Sequence, residues 1–446
     1  MRLPLLIALM ALFTGCSAEK SAMKEALDNG EVYAFKNVHV VPMDAERIME
    51  NQTVLVVGDR IHSISDAASA KIPDGAQTIA GDGKYLMPGL AEMHGHIPPP
   101  NQSDAYIASV LFMYVANGIT TVRGMLGHDG QLAIKARANA SEIISPTLYL
   151  AGPSFNGGSV NSPEEAVEKV KLQKAEGWDL LKVHPGLTRE EFDAMAETAN
   201  ELDIRFGGHV PAEVGLAHAI AMGQETFDHL DGYAIHVDGT NKPASDEAIA
   251  EVVKLTVDSG AWVVPTMVLW EHLYGVTPME AVSDLPELKY MPRQIVASWM
   301  NSHRSRLANP GLDLVTSGHR IENRNRILRA LNEGGARILM GTDAPQQFSV
   351  PGFSIHIELA RMADAGMSPF EIFRTGSVYV GDYFKEQDTF GLVAAGHRAD
   401  LVLLDKNPLE NVGNLKAPAG VMTRGRWLSA EDIEAELSSI AARVRG

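Results

Sequence analysis

Two histidines separated by one glycine, His94 and His96, close the stretch "LMPGLAEMHGHIPPP" at 86–100. On an extended strand, residues two apart share a face, so both imidazoles point the same way. Paired imidazoles at the end of a buried strand are the beginning of a metal site; exposed rings in a proline-rich turn are the alternative. Four further groups sit at comparable places: Lys182 in "WDLLKVHPG", His209 in "IRFGGHVP", His229 in "ETFDHLDGY" and Asp343 in "RILMGTDAP". Each follows a short apolar, β-branched run. Taken singly, each has an ordinary reading: a core histidine with a hydrogen bond, a capping aspartate, a lysine whose stem lies along apolar surface. Taken together they are six ligand-capable groups in one chain. Imidazole nitrogen and carboxylate oxygen suit Zn²⁺, with Mn²⁺, Fe²⁺ or Co²⁺ as substitutes. A free ammonium repels a dication, so Lys182 as it stands is a poor ligand.

What would position these groups is legible in the surrounding pattern. After the first histidine strand, strand-like runs recur at 118–125, 146–153, 178–186, 204–211, 225–233, 261–270 and 337–345. Between them lie helical stretches. In "SPEEAVEKVKLQKAEG", Ser162 and Glu165 form a capping box with Pro163 at the first helical position, and Thr188 caps "LTREEFDAMAETANELD". Eight strand–helix units in series predict an α/β fold, a (β/α)8 TIM-like barrel over 87–385. A doubly wound open sheet is the competitor, and it would need a glycine-rich nucleotide turn that this pattern lacks. In a barrel all six groups fall at the C-terminal ends of strands, where barrel chemistry gathers.

Short alternating runs broken by Gly-Asp, Asp-Gly and Pro-Asp-Gly turns occupy 31–86, and similar ones return at 386–430. They predict a small β-sandwich built from both chain ends, followed by a C-terminal helix at 431–446. The connection at 271–336 exceeds an ordinary barrel loop and predicts a pocket wall or lid. Its basic residues, Arg293, His303, Arg304, Arg306, His319 and Arg320, read foremost as a solvated amphipathic face.

The chain has 446 residues, an apolar fraction of 45% and a formal net charge of −18. Length and apolar content suit a large globular fold. The acidic balance argues against nucleic acid or an anionic membrane surface as partner, since both reward lysine and arginine. The opening "MRLPLLIALMALFTGC" has one basic residue, a short apolar stretch and then small residues before Cys16, the only cysteine. It reads as a bacterial lipoprotein signal at 1–16, with 17–30 as a polar tether. An ordinary cleaved signal is the alternative. The expectation is an exported protein held at a periplasmic or cell-surface membrane by lipid on Cys16, with Ser17 favouring the outer membrane. The oligomeric state is left open.

The order His-x-His, Lys, His, His, Asp along successive strands resembles the amidohydrolase superfamily of metal-dependent hydrolases. "GHRADLVLLDKNPLENV" is similar to the closing β segment of its imidazolonepropionase-like and prolidase-like members. The resemblance implies two divalent metal ions, zinc foremost. His94, His96 and Asp343 would hold one and His209 and His229 the other, with Lys182 carboxylated by CO₂ as the bridging ligand. It further implies attack by a metal-bridging hydroxide, with Asp343 as general base and then as acid to the leaving amine. The reaction so implied is cleavage of a C–N bond in a small substrate, a dipeptide or N-acyl amino acid. Tyr233 resembles the tyrosine that grips a terminal carboxylate in related dipeptidases; His236 lies close to it. His184 shares the face of Lys182 and could touch substrate or brace the site. His128 is a weaker candidate, and Arg123 reads as a packed residue. The alternatives are a mononuclear deaminase using Glu213 as proton shuttle, a cyclic amide or lactone hydrolase, and a non-catalytic metal-containing binding lipoprotein. The four-residue gap from His209 to Glu213 departs from the deaminase pattern.

Overall fold

A computed structural model describes residues 21–445. The signal at 1–16, with Cys16, and the first part of the tether lie outside the described residues. The strands, in chain order, begin with β1 (Val32–Val40), β2 (Met49–Val57), β3 (Arg60–Asp66), β4 (Gln77–Ala80) and β5 (Tyr85–Pro88). A middle series follows: β6 (Leu90–Gly95), β7 (Ile119–Gly124), β8 (Thr147–Leu150), β9 (Leu180–Val183), β10 (Arg205–Gly208), β11 (Thr226–Asp228), β12 (Trp262–Val264) and β13 (Arg337–Ile338). The last three are β14 (Leu401–Leu404), β15 (Gly420–Thr423) and β16 (Arg426–Ser429).

The two chain ends share one hydrogen-bonded sheet of eight strands, ordered β16-β15-β14-β5-β1-β2-β3 with β4 branching from β1. The join is the antiparallel ladder Leu401–Leu404 against Tyr85–Pro88. The two β segments expected to form a sandwich are thus hydrogen-bonded into one branched sheet: the first half of β1 pairs with β4 and its end with β5, and the β1–β2 ladder is bulged between them. Phe35, Val54, Leu86, Leu401 and Met422 fill its core. Part of the predicted tether, 21–28, is helical, and its Ala26 packs against Val32, Ala34 and Leu55.

The middle series is parallel throughout and divides into a three-stranded sheet, β6-β7-β8, and a five-stranded one, β13-β12-β11-β10-β9. Neither sheet closes on itself. Backbone hydrogen bonds nevertheless cross both junctions. Gly152 N donates to Leu180 O and Phe155 N to Lys182 O on one side. On the other, Met93 N donates to Met340 O and Asp343 N to His94 O. The strands are buried on both faces, as parallel strands covered by crossover helices must be.

Caps set where those helices begin. Ser162 accepts from Glu165 N at the start of Pro163–Glu176, but the Glu165 carboxylate turns to Asn161 and leaves the predicted box half formed. Thr188 and Glu191 complete a full box at the start of Arg189–Glu201. The sixth and seventh strands are shorter than the sequence pattern predicts. After β11 the chain enters the helix Asp231–His236, and after β12 the helix Met267–Leu273. The long segment at 271–336 is mostly helical, with Arg293–Leu307 and Leu314–Glu333 as its main elements.

Candidate metal centre

The C-terminal ends of the middle strands bring all six predicted groups into a connected cluster. His94 follows Met93 on β6, His209 and His229 directly follow β10 and β11, and Lys182 projects from β9. Asp343 reaches them because its own N–H is tied to His94 O and His96 N is tied to Ala344 O. Ring centres lie 4.3 Å apart for His94 and His229, 4.3 Å for His209 and His229, and 5.7 Å for His94 and His96. His96 Nε2 is 2.5 Å from Asp343 Oδ1, and His94 Nε2 is 3.6 Å from the same oxygen. One ligand atom from each of these three residues lies within 4.8 Å of the others. Lys182 Nζ is 3.1 Å from His94 Nε2.

The conformations needed are unusual ones. His229 (φ 70°), Thr266 (φ 45°) and Asp343 (φ 64°) all have left-handed backbone. Non-glycine residues in that region cost on the order of 1–3 kcal/mol each and concentrate at functional sites. Space is made by glycine. A Cβ on Gly208 would lie 2.4 Å from Val183 O and 3.0 Å from the Lys182 side chain, so "GGH" leaves room for the lysine.

Electrostatics suit a cation. Burial holds His94 and His229 well below the ordinary imidazole range, so both are neutral lone-pair donors. Burial also pushes the Lys182 ammonium down to about 8, against the pull of Asp228 and Asp343. On three of the four histidines the nitrogen that faces away is already engaged, while His96 Nδ1 is buried without a partner. His94 Nδ1 donates to Asp228 Oδ2 at 2.7 Å, His209 Nδ1 donates to Asp231 Oδ2 at 2.6 Å, and His229 Nδ1 pairs with Thr266 Oγ1 at 2.8 Å. That is the usual outer support of metal-bound imidazole. His229 Nε2 is buried and has no hydrogen-bond partner. An orphaned acceptor of this kind, beside two imidazoles and a carboxylate, fits a bound dication.

Four supporting groups escape a reading from sequence. Asp228 and Asp231 flank His229 and orient His94 and His209; as acids beside a ligand they carried a signal. Glu92, two residues before His94, is fully buried and accepts from His94 N, Thr342 N and Thr342 Oγ1. Burial pushes its carboxyl up to about 7. Thr266 carried no such signal. Arg123 is indeed packed: it donates to Met93 O, Thr226 Oγ1 and Asp228 Oδ1 through the interior.

Other expectations are corrected. Tyr233 is fully buried, its hydroxyl accepts from Thr256 Oγ1, and it does not line the cavity. His236 is exposed and does not line it either. Both follow from the early end of β11: positive φ at His229 and Leu230 starts a helix that carries Tyr233 into the core. A substrate carboxylate therefore finds neither residue. Glu213, the shuttle a deaminase would need, is exposed and likewise absent from the cavity lining. His184 does line the cavity, its ring 5.1 Å from that of His209, and so does His128. Of the basic residues at 271–336, His303 bonds Thr277 O, Arg306 bonds His272 O and Arg320 bonds Thr240 O.

The sequence profile of the amidohydrolase family matches residues 85–428. A 5-methylthioadenosine/S-adenosylhomocysteine deaminase of Caldanaerobacter subterraneus subsp. tengcongensis is 22% identical over 410 residues, covering 84% of this chain and 84% of its own length. Among solved structures, a bottromycin amidohydrolase superposes with a TM-score of 0.74 at 24% identity, over 95% of this chain and 93% of that one. A Xaa-Pro dipeptidase with methionine bound in its active site superposes at 0.69 and 19% identity, over 89% of this chain and all of the other. At these identities the structural likeness speaks for the fold.

Proposed function

Because this chain belongs to the amidohydrolase family and is a hydrolase acting on C–N bonds, we propose that it hydrolyses a small amide or peptide-like substrate at a dinuclear metal centre. Dipeptides and N-acyl amino acids fall within that class. The observation that carries the proposal is the support of three of the four imidazoles: Asp228, Asp231 and Thr266 hold the outer nitrogens of His94, His209 and His229. His94, His96 and Asp343 would hold one divalent ion and His209 and His229 the other, with carboxylated Lys182 shared between them. Ions so bound, zinc by their donor set, would acidify a water and polarise the scissile carbonyl.

The chain's own residues do the rest. Asp343, 4% exposed and lining the cavity, takes the proton as water oxygen adds to the carbonyl carbon. It returns that proton to nitrogen as the C–N bond breaks, so acid and amine leave and the carboxylate is regenerated. Glu92 ties Thr342 to His94 and so holds Asp343 in register with the first strand. Backbone bonds across both junctions support reading the two parallel sheets as arcs of one (β/α)8 barrel over 87–385. The unique Cys16 supports reading the protein as an exported lipoprotein.

The test is a screen of dipeptides, N-acyl amino acids, carbamates, lactones and aminated heterocycles against metal-loaded protein, with metal content measured. About two ions per chain and C–N cleavage of amides are expected, with turnover abolished in Asp343→Asn and metal content lowered in Lys182→Ala. Release of ammonia from a heterocycle, with one ion and no effect of Lys182→Ala, would establish a deaminase instead.

A further inference from the structure

The cavity over the proposed centre has a volume of about 570 Å³ and two unlike sides. One side is the histidine and aspartate cluster. The other is mainly apolar, with Ile97, Leu126, Leu269, Trp270, Leu273 and Ile295, and the uncharged polar side chains of Gln102, Tyr106 and Gln346 join the lining. Leu269, Trp270 and Leu273 lie on the helix Met267–Leu273, and Ile295 lies on Arg293–Leu307. Of the long connection at 271–336, Leu273 and Ile295 join this wall; Trp270, just before it, has its ring centre 6.3 Å from that of His229.

Among the described residues, no arginine or lysine lines this cavity. The guanidinium of Arg324 is engaged with the wall itself, and Arg293 and Arg443 line a neighbouring pocket that shares Gln102, Tyr106 and Ile295 with this one. Arg324 is 2% exposed, stacks 3.9 Å from the Trp270 ring centre and donates to His229 O and Arg320 O. Arg306 is likewise turned to His272 O. Apart from the proposed ligands, the basic groups facing the cavity are His128 and His184. His184 is stacked against His209, with ring centres 5.1 Å apart.

A carboxylate seated against this apolar wall, away from the proposed ions, loses its water and gains no lysine or arginine partner, which is a net cost. An aliphatic or aromatic group displaces water from leucine, isoleucine and tryptophan surface, which is a net gain. We propose that the site takes uncharged amides, with an aliphatic or aromatic group seated against Leu269, Trp270, Leu273 and Ile295 and no free carboxylate inside the cavity. The inference rests on the amide-hydrolase reading above and narrows it, within the N-acyl amino acids and dipeptides, to forms whose carboxyl is blocked.

The test uses matched pairs: an N-acyl amino acid and its primary carboxamide, with acyl chain and side chain held the same. On metal-loaded protein, kcat/KM for the carboxamide should exceed that of the free acid at least tenfold and should rise with apolar size. The same order should appear in Kd measured by calorimetry on metal-loaded Asp343→Asn, where turnover does not intervene. Trp270→Ala should cost aromatic substrates at least tenfold, mainly in KM. Ile295→Lys should narrow or reverse the preference by giving the carboxylate a partner, with a thermal melt confirming that the variant is folded. Equal or better use of the free acids, or a carboxylate preference abolished by His128→Ala, would overturn the inference and leave the hydrolase reading intact. A retained preference in Kd with no amide cleaved would support the wall's selectivity and overturn the hydrolase reading.

Discussion

Asp228 accepts the Nδ1 hydrogen of His94 at 2.7 Å, and neither side chain is more than 1% exposed. A carboxylate can only accept, so this bond sets the imidazole tautomer and leaves Nε2 facing Lys182 and Asp343. Arg123, reaching Asp228 Oδ1 at 3.4 Å, supplies charge that makes a buried carboxylate tolerable there. Asp228→Asn should therefore weaken metal affinity by about 10–100-fold, the usual cost of removing such a partner. Titration of the metal-free protein with zinc, read by activity and by calorimetry, checks it. Saturating metal should recover part of the turnover; unchanged affinity would show that His94 is held by packing alone.

Gly208 has φ +128°, and a Cβ there would approach Val183 O to 2.4 Å. Backbone cannot retreat as a flexible side chain can. Gly208→Ala should destabilise the fold by roughly 1–3 kcal/mol and crowd Lys182, lowering bound metal. Metal analysis together with a denaturant melt separates the two effects. Normal metal content in a destabilised protein would remove Lys182 from the second ion's site.

Glu358 lies wholly inside the protein, its two carboxylate oxygens accepting from Met267 N and Val268 N at 2.9 Å each. It thereby holds the start of the helix that carries Trp270, next to Thr266 and its bond to His229. Burial pushes this carboxyl up to about 8. Unfolded, it would titrate near 4.5, so between those values the folded state keeps a proton that the unfolded state has lost. Its contribution to stability is full below the lower value and is lost as pH rises through the upper one. Glu358→Gln should flatten the fall of melting temperature between about pH 5 and about pH 8. An unchanged slope would mean that Glu358 stays ionised in the fold.

Cys16→Ser should move the protein from the membrane to the soluble fraction while its catalytic constants stay unchanged, because a lipid anchor contributes attachment and not fold. Fractionation of cells expressing each form decides this. A variant that remains with the membrane would end the lipoprotein reading.

The sequence by itself determined the pieces whose signals are local. Period-two spacing placed His94 and His96 on one face, and runs such as "DLLKV" and "IRFGGH" marked strands whose ends carry Lys182 and His209. Thr188 announced a helix start. Tertiary structure alone decided the pairings between distant residues: Asp228 with His94 across 134 positions, Glu92 with Thr342 across 250, and Glu358 with the helix that follows Thr266. It also decided against Tyr233 and His236, since positive φ at His229 and Leu230 turned an apparent strand into a helix. The physical reason is one of range. Periodicity and caps arise from neighbours within a turn or a pleat, whereas a side chain's partner depends on how whole strands are laid beside one another, and no residue near His94 in the chain carries that information.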